Sequence, residues 1–203
     1  MEIFKKFLFD PEFDRLSNTI RWNGLNRIKD ETVAHHSHTV SIFSMIIAEE
    51  VFGEDDSVKL QVLSYAVLHD YDEIFTGDIL SPVKYNELNG IDLREEIDRF
   101  VDHKVSQKFP DNTATDLMFR KYLQKNFPSY IYRLVKIADW LSMYHYIKKE
   151  ITLGNKGVED KKQVCIEGIR ESAHLCLLEL RKFDFDYILD TKILYQIKDS
   201  NYE

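Results

Sequence analysis

A chain of 203 residues can bury a substantial core, and 44% hydrophobic with 31% charged residues describes a globular protein rather than a disordered one. Only 7 glycines and 4 prolines disfavour a turn-rich β fold. The net charge of −8 disfavours tracking along a nucleic-acid polymer, yet it leaves room for a small anion held by a metal and one or two basic side chains.

The N-terminal Met1-Glu2-Ile3-Phe4-Lys5-Lys6 has no apolar signal core. No apolar run approaches bilayer length, so a cytoplasmic location without a membrane partner is expected. Residues 36–52 carry Val40, Phe43, Ile47 and Val51 at helical spacing, with Gly53 as a stop. Residues 57–70 carry Val58, Val62, Tyr65, Ala66 and His69. A short segment from Asp72 to Phe75 reaches Gly77-Asp78, and Ser81-Pro82 reads as a loop before Val83-Lys84-Tyr85. Further helices are expected at about 91–108, 112–126, 129–150 and 158–185, separated by Pro110, Pro128 and Gly154. Beyond Asp186, the stretch from Tyr187 to Ile197 fits a short helix or an extended arm. Cys165 and Cys176 read as reduced core thiols. No segment alternates with period two and no linker or repeat interrupts the chain. The expectation is an all-α fold in one domain over residues 1–203, with its core at about 18–185 and a tail at 186–203.

Against this apolar background a few ionisable residues stand out, because burying such a group without a partner is costly. His36 shares a face with Val40, Phe43 and Ile47, and His69 follows Val62 and Ala66. Asp70 closes the same helix, and Asp139 sits in the apolar run Leu134-Val135-Lys136-Ile137-Ala138-Asp139-Trp140-Leu141. Taken singly, each histidine reads as a satisfied core residue, and Asp139 as half of a buried hydrogen bond or ion pair. Taken together they offer two nitrogen and two oxygen ligands, a set suited to Mn, Fe, Co or Zn and less to Ca. Adjacent helical positions differ by about 100°, so His69 and Asp70 can share one ion only near a helix terminus. Glu73, four residues after His69, would share its helical face and act as general base on metal-activated water or as general acid on the leaving oxygen.

The order Arg21-Trp22, Ala34-His35-His36-Ser37, His69 through Asp78, Ser81-Pro82-Val83-Lys84-Tyr85 and Lys136-Ile137-Ala138-Asp139 resembles the HD-domain phosphohydrolases. Among these it is most similar to the bacterial 5′-deoxynucleotidases of the YfbR type, with the phage HD dNTP phosphohydrolases as related compact proteins. The similarity runs from about Asn18 to Arg181. It implies an HD helical bundle with the metal site between central helices and His36, His69, Asp70 and Asp139 as metal ligands. It implies Glu73 as the catalytic carboxylate, Arg21 on the phosphate, Trp22 against the sugar and barring a 2′-hydroxyl, and Asp78 accepting from the 3′-hydroxyl. Lys84 is a further phosphate contact on this reading. The cofactor would be one divalent metal, with Co, Mn or Zn ahead of Mg or Fe. The substrate would be a small deoxynucleotide and the assembly a homodimer or a set of dimers, to which Leu175, Leu178 and Leu180 offer apolar surface.

Two departures from the family pattern are visible. His35-His36-Ser37 stands where Glu-His-Ser is usual, and the Val40 face favours His36 over His35 or His38 as the ligand. Asn23-Gly24 follows Trp22 where bulkier residues are usual. Removal of the 5′-phosphate from deoxynucleoside monophosphates is the leading expectation. Hydrolysis of deoxynucleoside triphosphates of the dATP type is the alternative, for which His35, His38, Lys84 or Lys104 could add phosphate contacts. A non-catalytic nucleotide-binding HD protein is a second alternative, disfavoured by the intact ligand set. A cyclic-dinucleotide phosphodiesterase would need a glycine-tyrosine-proline signature that is absent. A di-iron oxygenase needs more ligands than His103, the one histidine between the doublet and Asp139.

Overall fold

The 3.6-residue periodicity is met by helices throughout. The computed structural model describes residues 9–88, 91–110 and 113–180. Its helices are α1 (Arg15–Asn18), α2 (Val33–Phe52), α3 (Asp56–Leu68), α4 (Glu73–Thr76), α5 (Ser81–Lys84), α6 (Leu93–Lys108), α7 (Ala114–Leu123), α8 (Ser129–Thr152) and α9 (Glu159–Leu180). A 3₁₀ turn at Lys156–Val158 precedes α9. Among the described residues, extended structure is confined to an antiparallel pair, β1 (Glu87–Leu88) with β2 (Ile91–Asp92), and an isolated bridge from Ile20 to Thr32. The all-α expectation holds. The expected helix end at 181–185, the tail 186–203 and the side chains of Leu178 and Leu180 lie outside the described residues.

Several boundaries differ from the sequence reading, each for a local reason. Helix α2 starts at Val33 rather than His36, because Thr32 Oγ1 accepts from the His35 backbone N–H at 3.1 Å and caps it. Helix α3 ends at Leu68, so His69 and Asp70 fall in the turn that follows. Ser81-Pro82 opens a helical turn instead of a loop, since proline fits the first turn, where its missing N–H has no helical acceptor. Helix α1 and the β pair were not anticipated.

The chain divides into two compact units. Among the described residues, the first takes in those up to His38 and those within Val67–Phe127, and the second takes in Thr39–Ala66 and those that follow from Pro128. In the first unit Phe109 is fully buried and stacks on Phe119 at 4.6 Å, while Tyr71 meets the edge of Phe119 at 5.4 Å. Ile74, Val101 and Val105 complete this core. Arg15 Nη1 donates to the Ile74 carbonyl at 2.6 Å, tying α1 to α4. Asp92 caps α6 by accepting from Arg94 N at 2.9 Å.

In the second unit α8 and α9 pack along one another, with Ile131, Leu134, Ile137, Ile147 and Ile169 buried. Each such side chain contributes about 1.5–3 kcal/mol by leaving water. Val40, Ile47, Val62 and Ala66 are buried here too, as the helical spacing requires. Asn155 Nδ2 donates to the buried Glu150 Oε2 at 2.8 Å at the close of α8. Cys165 and Cys176 are free and buried. Burial and then the negative charge of Asp139 push the Cys165 thiol up to about 12, so it stays neutral.

Gly168 lets α9 approach α8. A Cβ added there would sit 2.3 Å from Trp140 Cε2, well inside contact distance. In an open helix the change Gly168→Ala would stabilise by about 1 kcal/mol. Here overpacking is expected to reverse the sign, costing about 1–3 kcal/mol in urea unfolding. A stabilised variant would show that the indole does not fill this gap.

Candidate metal centre

The first unit gathers most of the ionisable residues singled out from sequence. The α2 register turns His36 fully inward, beside buried Val33 and Val40, while the His35 side chain is 62% exposed and His38 is exposed. His36 is therefore the inward histidine of the pair. At the end of α3, His69 and Asp70 leave the helix, and this frees them from the 100° separation that a continuous helix would impose. His36 Nε2 lies 3.5 Å and His69 Nε2 3.2 Å from the same oxygen, Asp70 Oδ2. The ring centroids are 5.4 Å apart, and one nitrogen of each ring lies within 4.8 Å of the other. Two imidazole nitrogens and a carboxylate oxygen thus converge on one small volume.

Glu73 arrives by a different route from the one expected. It does not share a continuous helix with His69. The backbone N–H of Tyr71 donates to the Leu68 carbonyl and that of Glu73 to the Asp70 carbonyl, giving a tight turn from which α4 starts at Glu73. Glu73 Oε2 is buried and accepts no hydrogen bond among the described residues.

Electrostatics separate these carboxylates. Burial would raise the pKa of Asp70, but the charges of His69 and His36, a hydrogen bond from His69 and the charge of Arg21 hold it well below the usual range. Glu73 is pushed up to about 10, first by burial and then by Asp70 and Asp78, with Arg21 opposing. Burial and Asp70 likewise raise Asp72, and burial raises Asp78 against the pull of Arg21. This buried stretch carries more negative charge than its own cations neutralise. A divalent cation fits it on three counts: the nitrogen and oxygen donor set, the buried Glu73 oxygen and this excess of negative charge.

Arg21 and Trp22 stand on a loop closed by the Ile20–Thr32 bridge. Trp22 adopts φ +65°, a left-handed conformation uncommon for a bulky side chain. Its backbone N–H donates to Asp78 Oδ2 at 3.2 Å, and its indole Nε1 donates to Glu31 Oε2 at 3.0 Å. Arg21 Nη1 lies 3.5 Å from the same Glu31 oxygen, and its guanidinium sits 5.6 Å from the Trp22 ring centroid. The structure therefore joins Arg21, Trp22 and Asp78, and it adds Glu31, which sequence reasoning missed. Its signal was available: a carboxylate one residue before the Thr32 cap, in a loop bounded by two site motifs. Lys84, on α5, is partly exposed and contributes favourably to the Asp72 carboxylate.

Asp139 belongs to the second unit, on α8. It is 7% exposed and paired with Lys136 one turn earlier. The ion pair that served as the plain reading of this residue is thus present.

Residues 9–185 match the family model described as 5′-deoxynucleotidase YfbR-like. A 5′-deoxynucleotidase of Pectobacterium atrosepticum is 26% identical over 152 residues, covering 72% of this chain and 74% of that one. A 5′-deoxynucleotidase of Yersinia pestis is 27% identical over a stretch of the same length, 72% of this chain and 75% of that protein. Among solved structures, an HD-domain phosphohydrolase of Listeria innocua superposes with a TM-score of 0.64 at 22% identity, covering 98% of this chain and 89% of that one. The HD phosphohydrolase DatZ of cyanophage S-2L, solved with dA and one catalytic Zn²⁺, superposes with a TM-score of 0.63 at 17% identity, covering 94% and 95%. At these identities the superpositions establish a shared fold, and the family-model match over most of the sequence places this chain in the YfbR-like 5′-deoxynucleotidase family.

Proposed function

We propose that this protein is a metal-dependent phosphohydrolase that releases the 5′-phosphate of deoxyribonucleoside monophosphates. The observation that carries the reading is the convergence of His36 and His69 on Asp70, with the buried Glu73 carboxylate one turn along the chain. The 5′-deoxynucleotidase names of its relatives support the substrate class. The phage structure with dA and zinc supports a small deoxynucleoside ligand and a transition metal. On this reading residues 1–203 act as one phosphohydrolase domain in the cytoplasm. No helix among the described residues is long and apolar enough to cross a membrane. A homodimer belongs to this reading through the family resemblance.

His36, His69 and Asp70 would hold the cation, and Asp139 would supply the fourth ligand. Zinc, cobalt or manganese suits such donors. When bound, the ion supplies a water of lowered pKa and neutralises charge on the phosphoryl oxygens. The remaining work falls to the chain. Arg21, its side chain 12% exposed, offers its planar fork to the phosphate in a partly water-excluded setting. Trp22 packs against the sugar where a 2′-hydroxyl would need room. The Asp78 carboxylate accepts from Trp22 N and has lone pairs left to accept from the 3′-hydroxyl. Glu73, raised by burial and by its acidic neighbours, can hold a proton at neutral pH and give it to the departing 5′ oxygen. Water adds to phosphorus, the P–O5′ bond breaks as O5′ takes the Glu73 proton, the proton lost by the water returns to the Glu73 carboxylate, and the products are a deoxynucleoside and inorganic phosphate. Lys84 would extend phosphate contact at the rim.

Turnover of a full panel of deoxy- and ribonucleotides, mono- to triphosphate, tests the reading. Orthophosphate from dNMPs is expected, with AMP, GMP, CMP and UMP poorly used. Triphosphate or pyrophosphate released from dATP, with dAMP inert, would replace this reading with the dNTP phosphohydrolase alternative. Glu73→Gln is expected to lower kcat by about 10²–10⁴-fold while metal content is retained. Undiminished turnover would remove Glu73 from the chemistry.

Metal retention gives a separate check. Zinc is expected to raise the melting temperature of the parent by mass action, and Asp70→Asn should abolish most of that rise. Elemental analysis after dialysis should show about tenfold less metal in His36→Ala than in the parent. Equal metal in both would mean that these side chains do not form the site.

A further inference from the structure

We propose that Glu31 is a positioning residue that fixes Arg21 and Trp22 together and so sets the preference for deoxyribose over ribose. The inference rests on the roles proposed above for Arg21 and Trp22, and it adds the residue through which they act as one.

Glu31 is 4% exposed, a degree of burial that an ionised carboxylate sustains only with partners. Its partners are the two residues proposed to read phosphate and sugar. Oε2 accepts from the Trp22 indole N–H at 3.0 Å and lies 3.5 Å from Arg21 Nη1, while Oε1 is 3.9 Å from His35 Nδ1 at the start of α2. The main chain repeats the link, since Arg21 N donates to the Glu31 carbonyl at 2.9 Å. One carboxylate thus spans the Ile20–Thr32 bridge and meets both side chains on its far side.

The backbone makes this hold necessary. A tryptophan at φ +65° sits in a sparsely populated region, and such a residue persists only where surrounding contacts determine it. Asp78 fixes the backbone of Trp22 through its N–H, and Arg27 Nη1 donates to its carbonyl at 3.2 Å. Neither contact determines where the indole ring points. The Glu31 bond does, because an indole has one donor and Glu31 takes it. A ring that bars a 2′-hydroxyl must be held against sideways motion, and rejection by shape is lost when the wall can move. Glu31 also pairs with Arg21 before substrate arrives, so the fork is ordered in advance.

Three variants separate this from a merely structural role. Glu31→Ala removes both contacts. Glu31→Gln keeps an acceptor for the indole but loses the charge beside Arg21. Trp22→Phe keeps an aromatic ring without the N–H. In Glu31→Ala the ratio of kcat/KM for dAMP over AMP should fall about tenfold, the size expected for loss of a bond to a charged acceptor. KM for dAMP should rise more than kcat falls. Glu31→Gln should restore the dAMP-over-AMP ratio to near the parental value while KM stays high. A second readout is independent of turnover. The chain has 2 tryptophans, so in a Trp140→Phe background all indole fluorescence comes from Trp22. Acrylamide quenching should increase about twofold in Glu31→Ala and stay near the parental value in Glu31→Gln.

Unchanged quenching and an unchanged dAMP-over-AMP ratio in Glu31→Ala would overturn the proposal, as would a Gln variant as impaired as Ala in both. Should Glu31→Ala fail to fold by circular dichroism, Trp22→Phe decides. Retention of the deoxy preference there would remove the indole–carboxylate bond from the explanation, and its loss would support it. A parent that releases phosphate from no deoxynucleotide would end the deoxynucleotidase reading, while the quenching comparison would still decide whether Glu31 holds Trp22.

Discussion

Four carboxylates fall within nine residues of chain, at Asp70, Asp72, Glu73 and Asp78, and every one of them is at least partly withdrawn from water. Two like charges 4 Å apart repel by about 4 kcal/mol at the effective dielectric of a protein surface, and by more inside. That repulsion has to be met by positive charge or by protons. His36 addresses Asp70 from α2 and His69 from the turn after α3, and Arg21 opposes the rise of Glu73 and Asp78. Burial, and then the neighbouring Asp70 and Asp78, push the Glu73 pKa up in turn. A bound cation would change this balance, lowering the affinity of Glu73 for its proton as charge is added beside it. Proton and metal occupancy would therefore be linked at this centre, through the close spacing of acids in the sequence.

The same constraint accounts for the local fold. A longer α3 would carry His69 and Asp70 outward at different angles, and only a helix that stops at Leu68 lets both aim at one point. The turn after Leu68 is built from short-range backbone bonds, which keep its N–H groups satisfied without helix continuation. Gly77, at φ +69°, then ends α4 and turns the chain so that Asp78 can receive the Trp22 N–H. The hydrophobic anchor beneath is Ile74, fully buried and held through its carbonyl by Arg15. Packing and charge are thus coupled through one short segment.

Much of this was legible in the sequence because it depends on periodicity. The inward face of α2 at His36, Val40 and Ile47 follows from 3.6-residue spacing alone, and the exclusion of His35 and His38 follows with it. The paired location of Arg21, Trp22 and Asp78 was legible through family resemblance, since no local pattern connects residues 56 apart. What was not legible depended on turns. Glu73 was placed by counting four along a helix, yet the helix breaks between them, and a turn brought Glu73 back to the site by other bonds. Glu31 escaped notice because an acid next to Asp30 in a polar loop looks solvated. Its burial, next to the Ile20–Thr32 bridge and against Trp22 and Arg21, depends on contacts that no local pattern announces. Ser81-Pro82 misled for the opposite reason, since proline marks a loop and the first turn of a helix equally well.

Asp139 shows why a visible ion pair does not settle the role of a carboxylate. Its partner Lys136 lies one turn earlier on α8, with a side chain 37% exposed against 10% for Asp139. An ion pair with one member this exposed is worth about 0–1 kcal/mol, because the lysine keeps much of its hydration either way. Binding of a structural zinc ion to a complete ligand set is worth about 10–16 kcal/mol at neutral pH. Even a quarter share of that exceeds the lysine pair several-fold. The pair is therefore weak enough to yield its carboxylate to a cation. It also gives Asp139 a partner when no cation is bound, which lowers the cost of keeping a charged group in an apolar helix. The ligand role proposed for Asp139 and its observed contact with Lys136 are compatible for this reason, and the lysine stem can remain over the Trp140 ring, whose centroid is 5.3 Å from its Nζ.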